Sequence, residues 1–294
     1  MSTLGIDDKN DDSSMNGNSG TSPMKILGIC GGIGSGKSTA CQLMVNKLGC
    51  AGLIDADRLA HAVYEPGSLA LQEIIDEFGT DILLDNDDVN NNEDDDSERK
   101  RMIDRKKLGA IVFKDANAMS KLEQIVWPHV RTKIEEGIHD ITLQHRQPKP
   151  PAKGDISDDD NGEQNNNTCS STKDIIIVEA AILLETDWHD LMDGLWVVQS
   201  SEDVAKSRLI QNRGMTEEEA LLRIRAQQKR KGIVVANGGD GEVAGLRESI
   251  ENGIVTAIIT NDGSLEDLEL ALKETLADPT SFKMRKKEEK DSTG

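Results

Sequence analysis

A glycine-rich stretch near the start of the chain has the residue types and spacing of a phosphate-binding loop. Residues 31–38 read GGIGSGKS, match the pattern G-x-x-x-x-G-K-[ST], and follow an apolar segment at 25–30. The glycines allow the backbone to curl until successive N–H groups point at phosphate oxygens, and the helix that follows directs its positive end at the same anion. A dinucleotide fingerprint would need its third glycine where Lys37 stands. The sequence therefore predicts a site for nucleotide phosphates.

The side chains of the loop predict ATP and Mg²⁺ as ligands. Lys37 would reach the β- and γ-phosphates, and the Ser38 hydroxyl would bind Mg²⁺. Glu179, at the end of a predicted buried strand, is a second candidate for holding Mg²⁺, with a purely structural acid as the alternative. The residues predicted to contact the nucleotide are Gly32, Ile33, Gly34, Ser35, Gly36, Lys37, Ser38 and Thr39.

Two carboxylates, Asp55 and Asp57, stand at the end of the second predicted strand, where open α/β sheets place ligand-contacting groups. In phosphoryl transfer to a hydroxyl, an Asp accepts the hydroxyl proton, while positioning and charge neutralisation supply most of the catalysis. Asp is also a good helix N-cap, and Asp57 precedes a predicted helix at 58–63. The residue pattern leaves both roles of Asp57 open.

The elements that must position these groups alternate between apolar runs and helical segments, as in a doubly wound parallel sheet. We expect an α/β fold with five parallel strands. The third strand is an almost unbroken β-branched run and is predicted to be buried on both faces. The predicted strands are residues 25–30, 52–55, 175–178, 195–198 and 254–259.

Two helical segments are predicted to complete the site. The connection between the second and third strands is too long for a simple crossover, and its helical periodicity predicts an inserted substrate subdomain at 58–145. A charged segment at 202–228 contains a capping-box pattern from Thr216 to Glu219 and is expected to close over the nucleotide as a lid. Its Arg208 would supply positive charge to the transferring group, with a solvated helix face as the alternative.

Low-complexity segments lie outside this core. An apolar fraction of 36% is low for a fully packed chain of 294 residues. Disorder is predicted for an acidic tail at 1–23 and for insertions at 85–98 and 147–173, and residues 279–294 form a charged tail. Residues 1–23, 81–98 and 153–163 carry net charges of −3, −9 and −4, so most of the total of −20 says nothing about the site.

Composition also argues against several classes of protein. There is no basic footprint for nucleic acid and no apolar run that approaches the length of a membrane span, so we expect a cytoplasmic protein without membrane insertion. We expect it to act as a monomer or a weak oligomer. The cysteines form no C-x-x-C pair and are predicted to be small apolar residues, with a redox-sensitive thiol as the alternative for Cys30. The four are Cys30, Cys41, Cys50 and Cys169.

These motifs occur in a collinear order that closely resembles dephospho-CoA kinases. The likeness spans roughly residues 24–277 and is interrupted by the insertions. The stretch 180–185, with Trp188, is more similar to the kinase domain of eukaryotic CoA synthases than to bacterial enzymes, which usually have a proline after the acid. The resemblance rests on residues 27–39, 54–57, 65–67, 104–105, 108–109, 112–113, 122–126, 179–185, 216–220 and 261–268, and on Arg223 and Gln227.

The resemblance implies a P-loop kinase domain at 24–278 that uses ATP and Mg²⁺ to phosphorylate the ribose 3′-hydroxyl of dephospho-CoA, the final step of coenzyme A biosynthesis. In such an enzyme Asp57 matches the presumed base, which favours catalysis over capping, and Lys37 and Arg208 act with it. Ser38 and Glu179 would be the metal ligands, and Arg105 would lie in the acceptor-binding subdomain. The alternatives are another nucleoside or nucleotide kinase of similar fold, and an ATP-binding switch without phosphoryl transfer.

Three features depart from the family's usual pattern. Trp127-Pro128 stands where the family usually reads His-Pro, so a polar contact is missing unless His129 supplies it. Asn212-Arg213 inverts the common order of these two residues in the lid. A Gly-rich insertion near 231–245 follows the lid, and none of the three departures touches the phosphate loop.

Overall fold

The computed structural model describes residues 23–84, 102–146, 172–228 and 244–282. The predicted N-terminal tail apart from Pro23, the insertion at 85–98, most of the insertions at 147–173 and 231–245, and Cys169 lie outside these ranges. No helix within them is long and apolar enough to cross a membrane.

The described residues form one sheet of five parallel strands in the order β2-β3-β1-β4-β5. The third strand in the sequence is buried along its whole length, as its β-branched run predicts. The strands are β1 (Lys25–Gly31), β2 (Gly52–Asp55), β3 (Ile175–Glu179), β4 (Gly194–Gln199) and β5 (Ala257–Thr260). The predicted α/β fold with a five-stranded parallel sheet is confirmed.

Helices cover the two faces of this sheet. They are α1 (Lys37–Asn46), α2 (Ala56–Ala62), α3 (Leu69–Phe78), α4 (Arg105–Val112), α5 (Ala116–Arg146), α6 (Glu202–Arg213), α7 (Glu217–Gln228), α8 (Ala244–Glu251) and α9 (Leu265–Ala277). On one face, α1 and α9 bury Met44 and Leu272 against the strands. On the other face, α2 to α5 bury a larger apolar core that includes Ile74 and Ile134. These four helices lie in the region predicted as the substrate subdomain.

The charged segment at 202–228 forms two helices. Helix α6 ends at Arg213 and is capped by Gly214, whose φ of +63° is easily adopted only by glycine. The predicted capping box is present at the second helix, because Glu219 N–H donates to Thr216 Oγ1 at 3.2 Å and Thr216 N–H donates to Glu219 Oε2 at 2.9 Å. Helices α6 and α7 enclose a small apolar cluster of their own, made of Ala205, Leu209, Ala220 and Ile224.

Strand β5 begins later than the predicted strand at 254–259. The N–H groups of Ile254 and Val255 both donate to the Ser249 carbonyl, at 2.9 and 3.1 Å, and so complete the end of α8. These two residues therefore cannot join the sheet. Thr256 N–H donates to the Leu195 carbonyl at 2.8 Å, and β5 begins at the next residue, Ala257.

The folded chain also continues past the predicted domain boundary at residue 278. Trp196 Nε1 donates to the Ser281 carbonyl at 2.8 Å, and the ring centroids of Trp196 and Phe282 lie 5.9 Å apart. The Lys25 ammonium lies 4.6 Å from the centroid of the Phe282 ring. Residues 279–282 are therefore packed on the sheet instead of beginning the charged tail, and residues 283–294 lie outside the described ranges.

Candidate active site

The phosphate loop connects the buried strand β1 to the start of helix α1. Gly34 and Gly36 have φ angles of +79° and +88°, which side chains rarely adopt. A Cβ at position 36 would also collide with the side-chain amide of Asn261. The two glycines therefore set the curl of the loop and allow Asn261 to approach it.

Lys37, Ser38 and Glu179 form one polar cluster at the start of α1. Lys37 Nζ donates to Glu179 Oε1 at 2.7 Å, and Ser38 Oγ donates to the same oxygen at 2.6 Å. Burial alone would lower the pKa of Lys37, but the hydrogen bond and the charge of Glu179, together with Asp57, raise that pKa above its ordinary value. Lys37 is therefore a cation at neutral pH.

Asp57 lies beside this cluster without being a helix cap. Its Oδ2 is 3.4 Å from Lys37 Nζ, and the Ala181 N–H donates to both of its carboxylate oxygens at 3.3 Å. The side chain is 46% exposed, so a ligand can reach it. Helix α2 is capped by Asp55, whose Oδ1 accepts from Arg58 N–H at 2.9 Å. The interpretation of Asp57 as an N-cap is therefore wrong.

Arg208 reaches the loop from α6. Its Nη1 donates to the carbonyls of Gly34 and Ser35 at 3.3 Å each, and its Nη2 donates to Asn261 Oδ1 at 3.4 Å. Asn261 is buried and donates from Nδ2 to the Ser35 carbonyl at 2.8 Å. Because these partners of Arg208 are neutral oxygens, they orient the guanidinium without neutralising its charge.

A cavity of about 650 Å³ brings most of the predicted residues together. It is lined by the loop, Asp57 and Ala181, and by residues of α6, α7, α9 and the segment after β5. The predicted residues that line it are Gly32, Ile33, Gly34, Gly36, Lys37, Ser38, Thr39, Asp57 and Arg208. Ser35 and Glu179 are buried and do not line the cavity. Glu179 is linked to the cavity by its hydrogen bonds with Lys37 and Ser38, which do line it.

The oxygens of Ser38 and Glu179 are a suitable donor set for Mg²⁺. This ion usually binds through one or two protein oxygens, waters and substrate phosphates, not through a cage made only of protein ligands. In the described part of the chain, no group of three or more His, Cys, Asp or Glu side chains could hold a metal ion.

Three contacts at the site involve residues that were not predicted as site residues. Ala181 contributes a backbone N–H, for which a sequence carries no side-chain signal. Asn261 follows β5 at the carboxyl edge of the sheet, and this position could have identified it. Gln227 accepts the Ile33 N–H at 2.6 Å from a position 194 residues away. The family resemblance includes Gln227 but gives it no role at the site.

The departures from the family pattern take different places. Trp127, a residue of α5, is half-buried against the apolar core, and His129 Nε2 lies 3.0 Å from Glu73 Oε2 of α3. Asn212 and Arg213 both line the cavity. The polar contact that His129 makes is therefore with Glu73, between two helices of the predicted substrate subdomain.

The described cysteines are buried and do not have the properties of reactive thiols. Burial raises the pKa of Cys30 and Cys50 to about 12 and holds that of Cys41 well above its ordinary value. A redox-sensitive thiol needs an accessible thiolate. The alternative role considered for Cys30 is therefore wrong.

Comparison with known proteins agrees with the resemblance. Residues 25–147 match the family model for dephospho-CoA kinase. A dephospho-CoA kinase of Carboxydothermus hydrogenoformans is 32% identical over 231 residues, which cover 77% of this chain and 91% of that protein. One of Geobacillus kaustophilus is 33% identical over 222 residues, which cover 74% of this chain and 89% of that protein. The crystal structure of TT1252 from Thermus thermophilus matches with a TM-score of 0.54 at 25% identity, over 87% of this chain and 98% of that one. This chain belongs to the dephospho-CoA kinase family of ATP-dependent kinases.

Proposed function

We propose that this chain transfers the γ-phosphate of ATP to the ribose 3′-hydroxyl of dephospho-CoA, the final step of coenzyme A biosynthesis. The observation that carries the proposal is the position of Asp57. Its exposed carboxylate lines the same cavity as the phosphate loop, 3.4 Å from Lys37 Nζ, and Asp55 has taken over the capping of α2. An ATP-binding switch would not need a carboxylate there, and the family relationship supports dephospho-CoA as the acceptor.

Asp57 is the proposed general base. It accepts the proton of the 3′-hydroxyl as that oxygen forms a bond to the γ-phosphorus, while the bond from phosphorus to the β,γ-bridging oxygen breaks and ADP leaves. The Ala181 N–H contacts both carboxylate oxygens and so restricts rotation of the carboxylate. Orientation is the main contribution expected from such a base, because phosphoryl transfer depends mostly on positioning and charge neutralisation.

Lys37 and Arg208 are proposed to bind the phosphates. Glu179 keeps the Lys37 ammonium in place and charged, and three neutral oxygens hold the Arg208 guanidinium over the loop. The N–H groups at the start of α1 add a partial positive charge. These side chains are held by hydrogen bonds within the protein, and donors that are positioned in this way stabilise developing charge most effectively.

Ser38 and Glu179 are proposed to hold Mg²⁺, and the bound ion would neutralise charge on the β- and γ-phosphates. The Ser38 hydroxyl donates to Glu179 Oε1 at 2.6 Å. That hydrogen bond keeps both oxygens together at the loop.

We further propose that α2 to α5 bind the acceptor and that α6 and α7 form the lid. Asp57 lies in the first turn of α2, so the acceptor hydroxyl must approach from this helix. Nearby, the Arg105 guanidinium lies 5.9 Å from the Tyr64 ring centroid, and the Tyr64 hydroxyl is 3.0 Å from His61 Nδ1. A cation stacked on an aromatic ring is a suitable contact for the diphosphate and base of dephospho-CoA.

The test is incubation of the purified protein with Mg-ATP and dephospho-CoA, followed by quantification of coenzyme A and ADP. We expect both products in equal amounts. Parallel reactions with adenosine and with AMP as acceptors test the alternative hypothesis that the protein is another nucleoside or nucleotide kinase. A reaction without acceptor measures ATP hydrolysis. Tight ATP binding without coenzyme A formation would contradict the proposal.

A further inference from the structure

Helices α6 and α7 are attached to the phosphate loop at two consecutive residues. The Ile33 side chain packs against their apolar cluster, which contains Leu209 and Ile224. At Gly34 a Cβ would lie 2.8 Å from the Ala205 carbonyl, so the backbones of the loop and α6 are nearly in contact. The position of this helix pair is therefore coupled to that of the loop.

Gln227 adds a directed polar contact to this attachment. Its side-chain oxygen accepts the Ile33 N–H at 2.6 Å, and the residue lines the phosphate cavity. A backbone N–H can only donate, so the atom facing Ile33 must be the carboxamide oxygen and not the nitrogen. The contact therefore fixes the orientation of the amide, with its NH₂ group on the other side.

The position of Ile33 in the loop indicates which phosphate lies near this amide. N–H groups close to the start of α1 surround the α- and β-phosphates. Ile33 belongs to the opposite end of the loop, and Asp57, which must face the acceptor, lines the same cavity. We therefore expect the terminal phosphate of a bound ATP between Ile33 and Asp57.

We propose that Gln227 binds the γ-phosphate of ATP: its carboxamide oxygen stays on the Ile33 N–H, and its Nε2 donates to a γ-phosphate oxygen. This inference rests on the proposed function to the extent that ATP is the phosphoryl donor. Gln227 thereby distinguishes ATP from ADP and links the terminal phosphate to α7. A neutral donor suits this role, since it stabilises the transferring group without holding the product through a full charge.

The test compares the Kd values of Mg-ATP and Mg-ADP, without acceptor, for the unmodified protein and two variants. Gln227→Glu keeps an acceptor for Ile33 but replaces the donor with a carboxylate oxygen. We expect it to raise the Kd of ATP at least about tenfold and that of ADP less than about threefold. Gln227→Met removes both groups at similar length and is expected to raise only the Kd of ATP, about three- to tenfold.

Gln211→Glu is the matched control. It places the same charge on α6, at an exposed residue whose side chain donates to Ser207 and does not line the cavity. Both Kd values are expected to stay within about twofold. Equal losses of ATP and ADP affinity in the Gln227 variants would make the residue a structural brace, and unchanged affinities would remove its role altogether, so either result overturns the proposal. Because no acceptor is present, failure to form coenzyme A would leave this result unaffected.

Discussion

We call the phosphate loop with α1, α6, α7 and α9 the nucleotide half, and we call α2 to α5, which we propose bind the acceptor, the acceptor half. The two halves differ in where their polar side chains lie. In the nucleotide half, backbone atoms of the phosphate loop are bound by polar side chains from distant elements: Arg208, Asn261 and Gln227. In the acceptor half, α2 to α5 are held by apolar burial, and their ion pairs, such as Lys121 with Glu77, lie near the surface. A phosphate has the same shape in every nucleotide, so fixed polar contacts suit it.

Because the two halves differ in this way, their polar groups should respond differently to substitution. Buried polar contacts are costly to break, since the partner that remains loses its hydrogen bond without regaining water. Exposed ion pairs contribute little, since water replaces the lost partner. The predictions below test this difference from the largest expected effect to the smallest.

Asp57 lies where the two halves meet, and its substitution should separate turnover from nucleotide binding. We expect Asp57→Asn to lower kcat by about 10²- to 10⁴-fold, because the proton acceptor is lost, and to change the Kd of ATP less than about threefold. Steady-state kinetics and a binding titration measure the two quantities. The control is Asp55→Asn, because Asn caps a helix about as well as Asp. Equal losses in kcat and ATP affinity would assign Asp57 to the nucleotide half alone.

The Lys37 and Glu179 pair should be coupled strongly to stability. Lys37→Met leaves the Glu179 carboxylate buried without its cation and is expected to lower the free energy of unfolding by about 3–5 kcal/mol. The double variant Lys37→Met/Glu179→Gln should recover most of that loss, because the unpaired charge is gone. Urea denaturation without nucleotide measures both values. Lys121→Met, which breaks an exposed pair with Glu77 in the acceptor half, should have a far smaller effect. A comparable loss there would remove the distinction between the halves.

In the nucleotide half, the sequence predicts the phosphate loop almost residue by residue. It does not predict which of Asp55 and Asp57 caps α2. Glycines, Lys37 and Ser38 have fixed places relative to a phosphate, so their spacing alone predicts the loop. Asp55 and Asp57 can each cap a helix, and only the Arg58 N–H, which bonds to Asp55, determines where α2 begins. The contact of Asp57 with Ala181 joins residues 124 positions apart, beyond the reach of any local pattern.

In the acceptor half, periodicity predicts the helices but not their ends or their packing. Helical spacing indicates a helix at 122–145, whereas α5 begins at Ala116. Residues 116–121 are mostly small or polar and give no amphipathic signal, but they extend the helix toward α4. Trp127 departs from the histidine that the family usually has at this position. Its half-buried contact with the apolar core is visible only in the structure.

Alkaline pH should lower the free energy of unfolding through the buried thiol of Cys30, which directly precedes the phosphate loop. The pKa of Cys30 is raised by burial from 9.0 to about 12, so above pH 9 the unfolded chain loses a proton that the folded chain keeps. The stabilising effect is complete below pH 9 and is lost as pH rises, by up to about 1.4 kcal/mol per pH unit for this thiol. Cys30→Ala should reduce the slope of unfolding free energy against pH between about 9 and 11. An unchanged slope would show that Cys30 does not titrate differently in the two states.

The smallest effect is expected at His129, in the acceptor half. His129→Ala removes a partly exposed pair with Glu73 and should lower the free energy of unfolding by less than about 1 kcal/mol. Because the histidine is engaged with another helix, the KM values of ATP and dephospho-CoA should both stay unchanged, as steady-state kinetics would measure. Glu73→Gln is the matched variant, since it weakens the same pair from the other side. A rise in the KM of dephospho-CoA in the His129 variant alone would contradict this expectation. It would show that the histidine supplies the polar contact that Trp127 cannot make, and that a polar side chain of the acceptor half contacts the acceptor directly.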